Sequence, residues 1–302
     1  MSSEPDFRPP PTGSVGMATT PAASRDEALA RGALLLTVED NPINQKLTRH
    51  QLRLLGYLTD FAGDGLQGLE RWRQGHYGLV LTDLHMPIMD GYEMVTAIRR
   101  EEAASGRPRT VVVALTANAM KGQAEQCLAA GMDDYLAKPV SLARLGSVLS
   151  HWLGSPAGNG PPADATRPTD TGAPPAVDPA LPAVDVGVLA ALVGNKPAVL
   201  ERFLADYLRH GLTYQQGMLA ALDGGDLREA CSLAHKLKSS SRSVGALALG
   251  DLCEQIEAAG RAGQQAAARA LAPALASHWH QVAAAIEAHL ANGPMAGQDT
   301  SR

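Results

Sequence analysis

Between residues 33 and 138 five short apolar runs alternate with stretches of helical periodicity, and four of the five lead straight into a charged or hydroxyl residue. Ala33 to Val38 is followed by Glu39 and Asp40, Leu79 to Thr82 by Asp83, Val111 to Leu115 by Thr116, and Tyr135 to Ala137 by Lys138; Tyr57 to Phe61 is the remaining run. Runs this short and rich in Val and Leu read as strands. Between the first two, Asn41 can cap a helix that Pro42 opens, Ile43, Leu47, Leu54 and Leu55 share one helical face, and Gly56 stops it. Strands alternating with helices require right-handed crossovers, and the sheet they build is parallel and covered on both faces. A doubly wound α/β domain with a five-stranded parallel sheet is therefore expected over residues 31–154.

Such sheets hold their functional groups at the carboxyl ends of the strands. Glu39, Asp40, Asp83, Thr116 and Lys138 should then converge on one site. Carboxylates gathered there repel one another unless a cation lies between them, and their hard oxygens suit Mg²⁺. An Asp83 oxygen can attack phosphorus, Lys138 can offer positive charge to phosphoryl oxygens, and the Thr116 hydroxyl can donate a hydrogen bond to one of them.

With Asp83 and the Met-Pro-Ile-Met-Asp-Gly that begins three residues after it, the Glu39-Asp40 pair, Thr116-Ala117 and Lys138-Pro139, this stretch resembles a two-component receiver domain, a flavodoxin-like fold. The resemblance implies that Asp83 is a phosphoacceptor, and that Glu39, Asp40, Asp83 and the main-chain carbonyl of His85 hold Mg²⁺. It also implies that Thr116 and Tyr135 form a switch pair that responds to phosphorylation.

A chain of 302 residues has room for a second domain. Residues 1–30 are rich in Pro, Ser, Ala and Thr, and residues 155–183 carry Pro161, Pro162, Pro168, Pro174, Pro175, Pro179 and Pro182 among Gly, Ala and Asp. Both are expected to be disordered, the second as a linker, as is a tail over 293–302. Residues 31–154 carry 13 basic and 13 acidic residues, and residues 184–292 carry 9 and 10. Neither domain has the basic excess of a nucleic-acid-binding module, so DNA is not an expected partner. No apolar run reaches the ~18 residues of a membrane span. The polar start lacks the features of a signal peptide, and a cytoplasmic location is expected. Cys127, Cys231 and Cys253 lack metal-ligand spacing and read as small core residues.

Residues 184–292 read as helical throughout. Leu200, Phe203, Leu204, Tyr207 and Leu208 follow helical spacing, as do Leu249, Leu252, Cys253 and Ile256, and Trp279, Val282, Ala283, Ile286 and Leu290. Asp223-Gly224-Gly225-Asp226 interrupts the chain before a helix whose buried stripe is Leu227, Ala230, Ala234, Leu237 and Ser241, and Pro273 begins or kinks the last helix. An all-α antiparallel bundle is expected. His235 points about 120° from the centre of that stripe, so its imidazole should be open to solvent and to a docking partner. Near neutral pH an exposed imidazole is largely uncharged and can act as a nucleophile toward phosphorus. Lys238 can stabilise phosphoryl charge one turn away, and small Ser239 leaves room for a partner's site.

Ala-His-Lys-Leu-Lys-Ser-Ser-Ser followed by Val-Gly-Ala resembles the histidine-containing phosphotransfer (HPt) domain, with a departure at Ser239 where glycine is usual. The two resemblances together imply a phosphorelay intermediate. Asp83 would take a phosphoryl group from a sensor histidine kinase, and His235 would exchange it with a receiver aspartate in this chain or in a downstream response regulator. No glycine-rich nucleotide-binding pattern of a kinase appears in the sequence, so the chain is not expected to be an ATP-using enzyme. Its alternatives are the carboxyl-terminal relay portion of a hybrid sensor kinase, a receiver-gated interaction module or a phosphate sink. A transcriptional regulator is disfavoured by the near-neutral charge of both domains. The 29-residue linker, if flexible, spans about 30 Å, enough for the two sites to meet.

Overall fold

The computed structural model describes residues 24–30, 33–116, 121–153 and 182–292. Residues 155–181 of the expected linker, the 293–302 tail and residues 1–23 lie outside them. A short helix, α1 (Arg25–Ala30), comes first. There follow β1 (Leu35–Val38), α2 (Pro42–Leu54), β2 (Thr59–Ala62), α3 (Gly65–Gln74), β3 (Leu79–Asp83), α4 (Gly91–Ser105), β4 (Val111–Thr116), α5 (Lys121–Ala129), β5 (Asp134–Ala137) and α6 (Leu142–Leu153). The sheet is wholly parallel, in the order β2-β1-β3-β4-β5.

Alternate side chains of each strand feed opposite faces. On one face Leu36, Val38, Val80, Val112 and Ala114 pack with Trp72, Met94 and Ile98 of α3 and α4; on the other Leu35, Leu79, Leu81, Val113 and Leu115 pack with Leu52, Leu145 and Leu149 of α2 and α6. The second strand begins two residues later than its apolar run, at Thr59, because Tyr57 is buried in the core before the ladder starts. Helix α1 corrects the expectation of disorder over the whole of 1–30. Composition gives little warning of it, since six residues are held from outside: Ala28 enters the core and Arg25 bonds Asp60 at 2.6 Å.

Six helices follow: α7 (Val186–Val193), α8 (Pro197–Gly224), α9 (Leu227–Ser243), α10 (Leu247–Arg261), α11 (Gln265–Ala270) and α12 (Ala272–Asn292). Gly225, at φ 79, ends α8, and Asp226 caps α9 by accepting from Glu229 N at 3.0 Å. Pro273 sits in the first turn of α12 and so begins that helix. Phe203, Leu204, Tyr207, Ala234, Leu237, Leu249, Ile256, Trp279 and Ile286 fill the bundle core.

Helix α2 departs from its expected single apolar face. Leu52 turns to the sheet, Leu54 is exposed, and Ile43 and Leu47 join the core of the helical bundle. The two domains therefore pack against each other through α2.

Candidate functional site

Strand ends place the acidic groups of the first domain. Glu39 and Asp40 follow β1, Asp83 ends β3, and one oxygen from each lies within 4.8 Å of the others. The chain turns sharply after Asp83: Gly91 N donates to Leu84 O at 3.0 Å, and a Cβ at Gly91 would fall 2.3 Å from the Asp83 carbonyl oxygen. Lys138, just past β5, donates to Asp83 Oδ2 at 2.5 Å and to Glu39 Oε2 at 2.6 Å. Thr116 is buried at the end of β4, and Lys138 N donates to its carbonyl at 2.7 Å. Tyr135 is half-buried on β5, opposite Ala114 and against the core. The His85 amide donates to Asp83 Oδ1 at 3.3 Å.

Burial alone would raise every carboxylate here. At Glu39 it prevails, and the carboxyl is pushed up to about 7 although Lys138 pulls the other way. Asp40 is also raised by burial, against Lys236. For Asp83 burial is outweighed by Lys138 and His235, which hold it well below the usual carboxylate range. The same pairing lifts Lys138, against its own burial. Asp40 Oδ1 is buried without a hydrogen-bond partner, the condition of an oxygen shaped to accept a cation. Three carboxylates with one orphaned oxygen form a donor set able to hold a metal ion.

His235 is not open to solvent. It retains 8% exposure, since the first domain covers the face of α9 that turns away from the bundle core. Its Nε2 lies 3.9 Å from Asp83 Oδ2, and its ring meets that of His85 edge to face at 5.4 Å. At 3.9 Å the attraction is between charges and is too long for a hydrogen bond; Nε2 is buried without a partner. Nδ1 stands 3.1 Å from Glu257 Oε1 on α10. Burial would lower the imidazole, but Asp83 and Glu257 hold it up at about 9.

Glu257 was not singled out from the sequence. It extends the apolar stripe of Leu249, Cys253 and Ile256 on α10, and a carboxylate in such a stripe signals a buried partner. Its second oxygen accepts from Lys238 Nζ at 2.6 Å, and Arg261 bonds the first. Burial raises Glu257, but His235 and Lys238 prevail and lower it to about 2. The Lys238 ammonium is thus engaged by Glu257 rather than standing free beside His235. Ser239, expected only to leave space, accepts a hydrogen bond from Asn44 Nδ2 at 2.5 Å. Asn41 caps α2 through Ile43 N at 3.0 Å and also donates to Lys236 O at 2.9 Å, while Lys236 Nζ reaches Asp40 at 3.1 Å.

The family comparisons agree with this architecture. Residues 35–150 match the response regulator receiver domain and residues 202–290 match the Hpt domain. The chain carries a two-component receiver domain followed by an HPt domain. It is 33% identical over 234 residues to the virulence sensor protein BvgS of Bordetella pertussis, covering 76% of this chain and 18% of BvgS. It is 39% identical over 122 residues to the peroxide stress-activated histidine kinase mak1 of Schizosaccharomyces pombe, covering 39% of this chain and 7% of the kinase. Among solved structures, the receiver domain of a Pseudomonas aeruginosa sensor histidine kinase, with magnesium coordinated in its cleft, shares 44% identity over 41% of this chain and 99% of its own, with a TM-score of 0.38. The chain spans about a fifth of the length of the BvgS sequences it matches. Among the described residues no helix is long and apolar enough to cross a membrane.

Proposed function

We propose that this chain is a relay intermediate in which Asp83 accepts a phosphoryl group from a sensor histidine kinase and passes it to His235, which then serves a downstream response regulator receiver. The observation that carries this reading is the unpartnered Nε2 of His235 facing the Asp83 carboxylate at 3.9 Å, close to the reach of an in-line oxygen–phosphorus–nitrogen array. The Oδ2 face of Asp83 toward Lys138 and His235 is where the acyl phosphate forms. Lys138 then faces the charge on the phosphoryl oxygens, with the Thr116 hydroxyl as a further donor and Thr116 and Tyr135 as the switch pair.

Transfer to His235 forms an N–P bond at Nε2 as the Asp83 O–P bond breaks, and the electron pair of that bond returns to the carboxylate. Glu257 holds the ring proton on Nδ1, which leaves the lone pair on Nε2 for the attack. His235 is protonated while it faces the bare Asp83 carboxylate. The phosphoryl group brings negative charge of its own in place of the carboxylate's, so the Nε2 proton passes to solvent before the freed lone pair attacks phosphorus. Glu39, Asp40, Asp83 and the His85 carbonyl would hold Mg²⁺, which suits hard oxygen donors and the orphaned Asp40 oxygen. Bound there, the ion supplies charge neutralisation for the incoming phosphoryl group.

The domain boundaries follow as 31–154 for the receiver and 184–292 for the HPt domain, with the phosphoryl-transfer chemistry needing no ATP site in either. A cytoplasmic location fits exchange with a kinase and a soluble regulator. Labelling with radioactive acetyl phosphate and Mg²⁺ tests the reading. Wild-type chain should carry base-labile label on Asp83 and acid-labile label on His235. Both should vanish in Asp83→Asn and on chelation of the metal, and His235→Gln should keep the base-labile label alone. Acid-labile label persisting in Asp83→Asn would show that His235 is charged by another route.

A further inference from the structure

Away from the phosphoryl site, α2 makes a second contact with the HPt domain. Its Gln51 donates through Nε2 to Leu192 O at 3.2 Å and to Val140 O at 2.7 Å, and His50 Nε2 lies 3.1 Å from Val193 O. A carbonyl can only accept, so His50 Nε2 carries the proton. Leu192 and Val193 are the last two residues of α7, and the final carbonyls of a helix have no partner within it. Two receiver side chains thus complete the carboxyl end of an HPt helix. Both are buried, Gln51 at 2% and His50 at 7% exposure, although each is polar. At the other end, α7 is pinned to the bundle: Asp185 N donates to Gly245 O at 3.1 Å.

We infer that His50, Gln51 and α7 form a latch that selects this chain's own HPt domain for exchange with Asp83. None of the three touches Asp83 or His235. The groups close to the phosphoryl site, Asn41 reaching a main-chain carbonyl and carboxylates meeting lysines, offer contacts that many histidine-bearing helices can satisfy. The latch adds a contact that depends on a helix preceding the four long ones, held at a fixed distance from His235 by Gly245. It favours transfer within the chain and keeps the same α2 face closed to other HPt domains. The inference rests on the transfer proposed above.

The test compares two rates in the full-length protein charged with radioactive acetyl phosphate and Mg²⁺. Transfer within a chain is read as acid-labile label in protein with both Asp83 and His235. Transfer between chains is read by mixing Asp83→Asn with His235→Gln protein, where label must cross. His50→Leu with Gln51→Leu, introduced into all three proteins, is expected to raise the between-to-within ratio at least about tenfold, the effect of losing one to two buried hydrogen bonds. Base-labile labelling of Asp83 should stay unchanged, which also reports that the receiver is folded. His50→Gln keeps a donor for Val193 O and should restore much of the wild-type ratio on the Gln51 background. An unchanged ratio in the double variant, with wild-type transfer intact, overturns the latch alone. Absence of acid-labile label in the unsubstituted protein overturns the transfer reading and the latch with it.

Discussion

At the scale of single residues, Glu257 on α10 sets the state of the His235 imidazole. Its carboxylate fixes the His235 proton on Nδ1 and is itself lowered to about 2 by His235 and Lys238 against burial. A carboxyl with a depressed folded pKa contributes stability that is present above its ordinary value of 4.5 and is lost as pH falls toward about 2. Glu257→Gln should therefore flatten the acid limb of urea-unfolding stability between those values, removing on the order of 3 kcal/mol of pH dependence. The same substitution should slow transfer from Asp83 to His235 by about 10- to 100-fold, as loss of an orienting partner does elsewhere, while leaving acetyl-phosphate labelling of Asp83 unchanged. A wild-type transfer rate in this variant would remove Glu257 from the scheme. The groups around Asp83 were legible in the sequence, because a parallel sheet brings its strand ends together whatever the loops do. Glu257 lies 22 residues from His235 on the next helix, and only its place in an apolar stripe pointed to it. The burial of His235 was not legible, since helical periodicity reports the bundle's own core and is silent about a second domain laid over the opposite face.

Among the elements, α2 and α7 carry the join. Helix α2 offers Leu52 to the sheet and Ile43 and Leu47 to the bundle, a division that one hydrophobic period disguises as a single face. The strands were read to within about two residues because short β-branched and leucine runs leave little choice of structure. Helix α1 was missed because its six residues are held by Asp60 and the core instead of by their own propensity. The position of α7 depends on Gly245, whose φ is 81 and where a Cβ would stand 2.0 Å from Asp185 O. Gly245→Ala should lower the melting temperature of the HPt domain by several degrees, through both backbone strain and displacement of Asp185. It should also raise hydrogen exchange in α7 more than in α9. Equal protection of α7 in the variant and the parent would show that this turn does not set the helix in place.

For the whole molecule, the two proposed acceptors sit in one chain with Asp83 Oδ2 and His235 Nε2 3.9 Å apart, and α2 supplies contacts to the HPt domain from Asn44 to Gln51. Sequence alone bounds only reach: a flexible linker permits an effective concentration on the order of millimolar. The packed interface goes further, because it orients the donor and acceptor instead of merely confining them. Sequence could not show this, since Asn41, Asn44, Lys46 and Gln51 look like the polar surface of any helix until a partner covers them. Lys46, for example, reaches Asp206 of α8 at 2.6 Å across 160 residues. The measurement that bears most directly on the central claim is a rapid-quench time course after charging Asp83, repeated at protein concentrations about a hundredfold apart. Transfer within the chain predicts one first-order rate of appearance of acid-labile label at His235 at both concentrations; a rate that scales with protein concentration would contradict it.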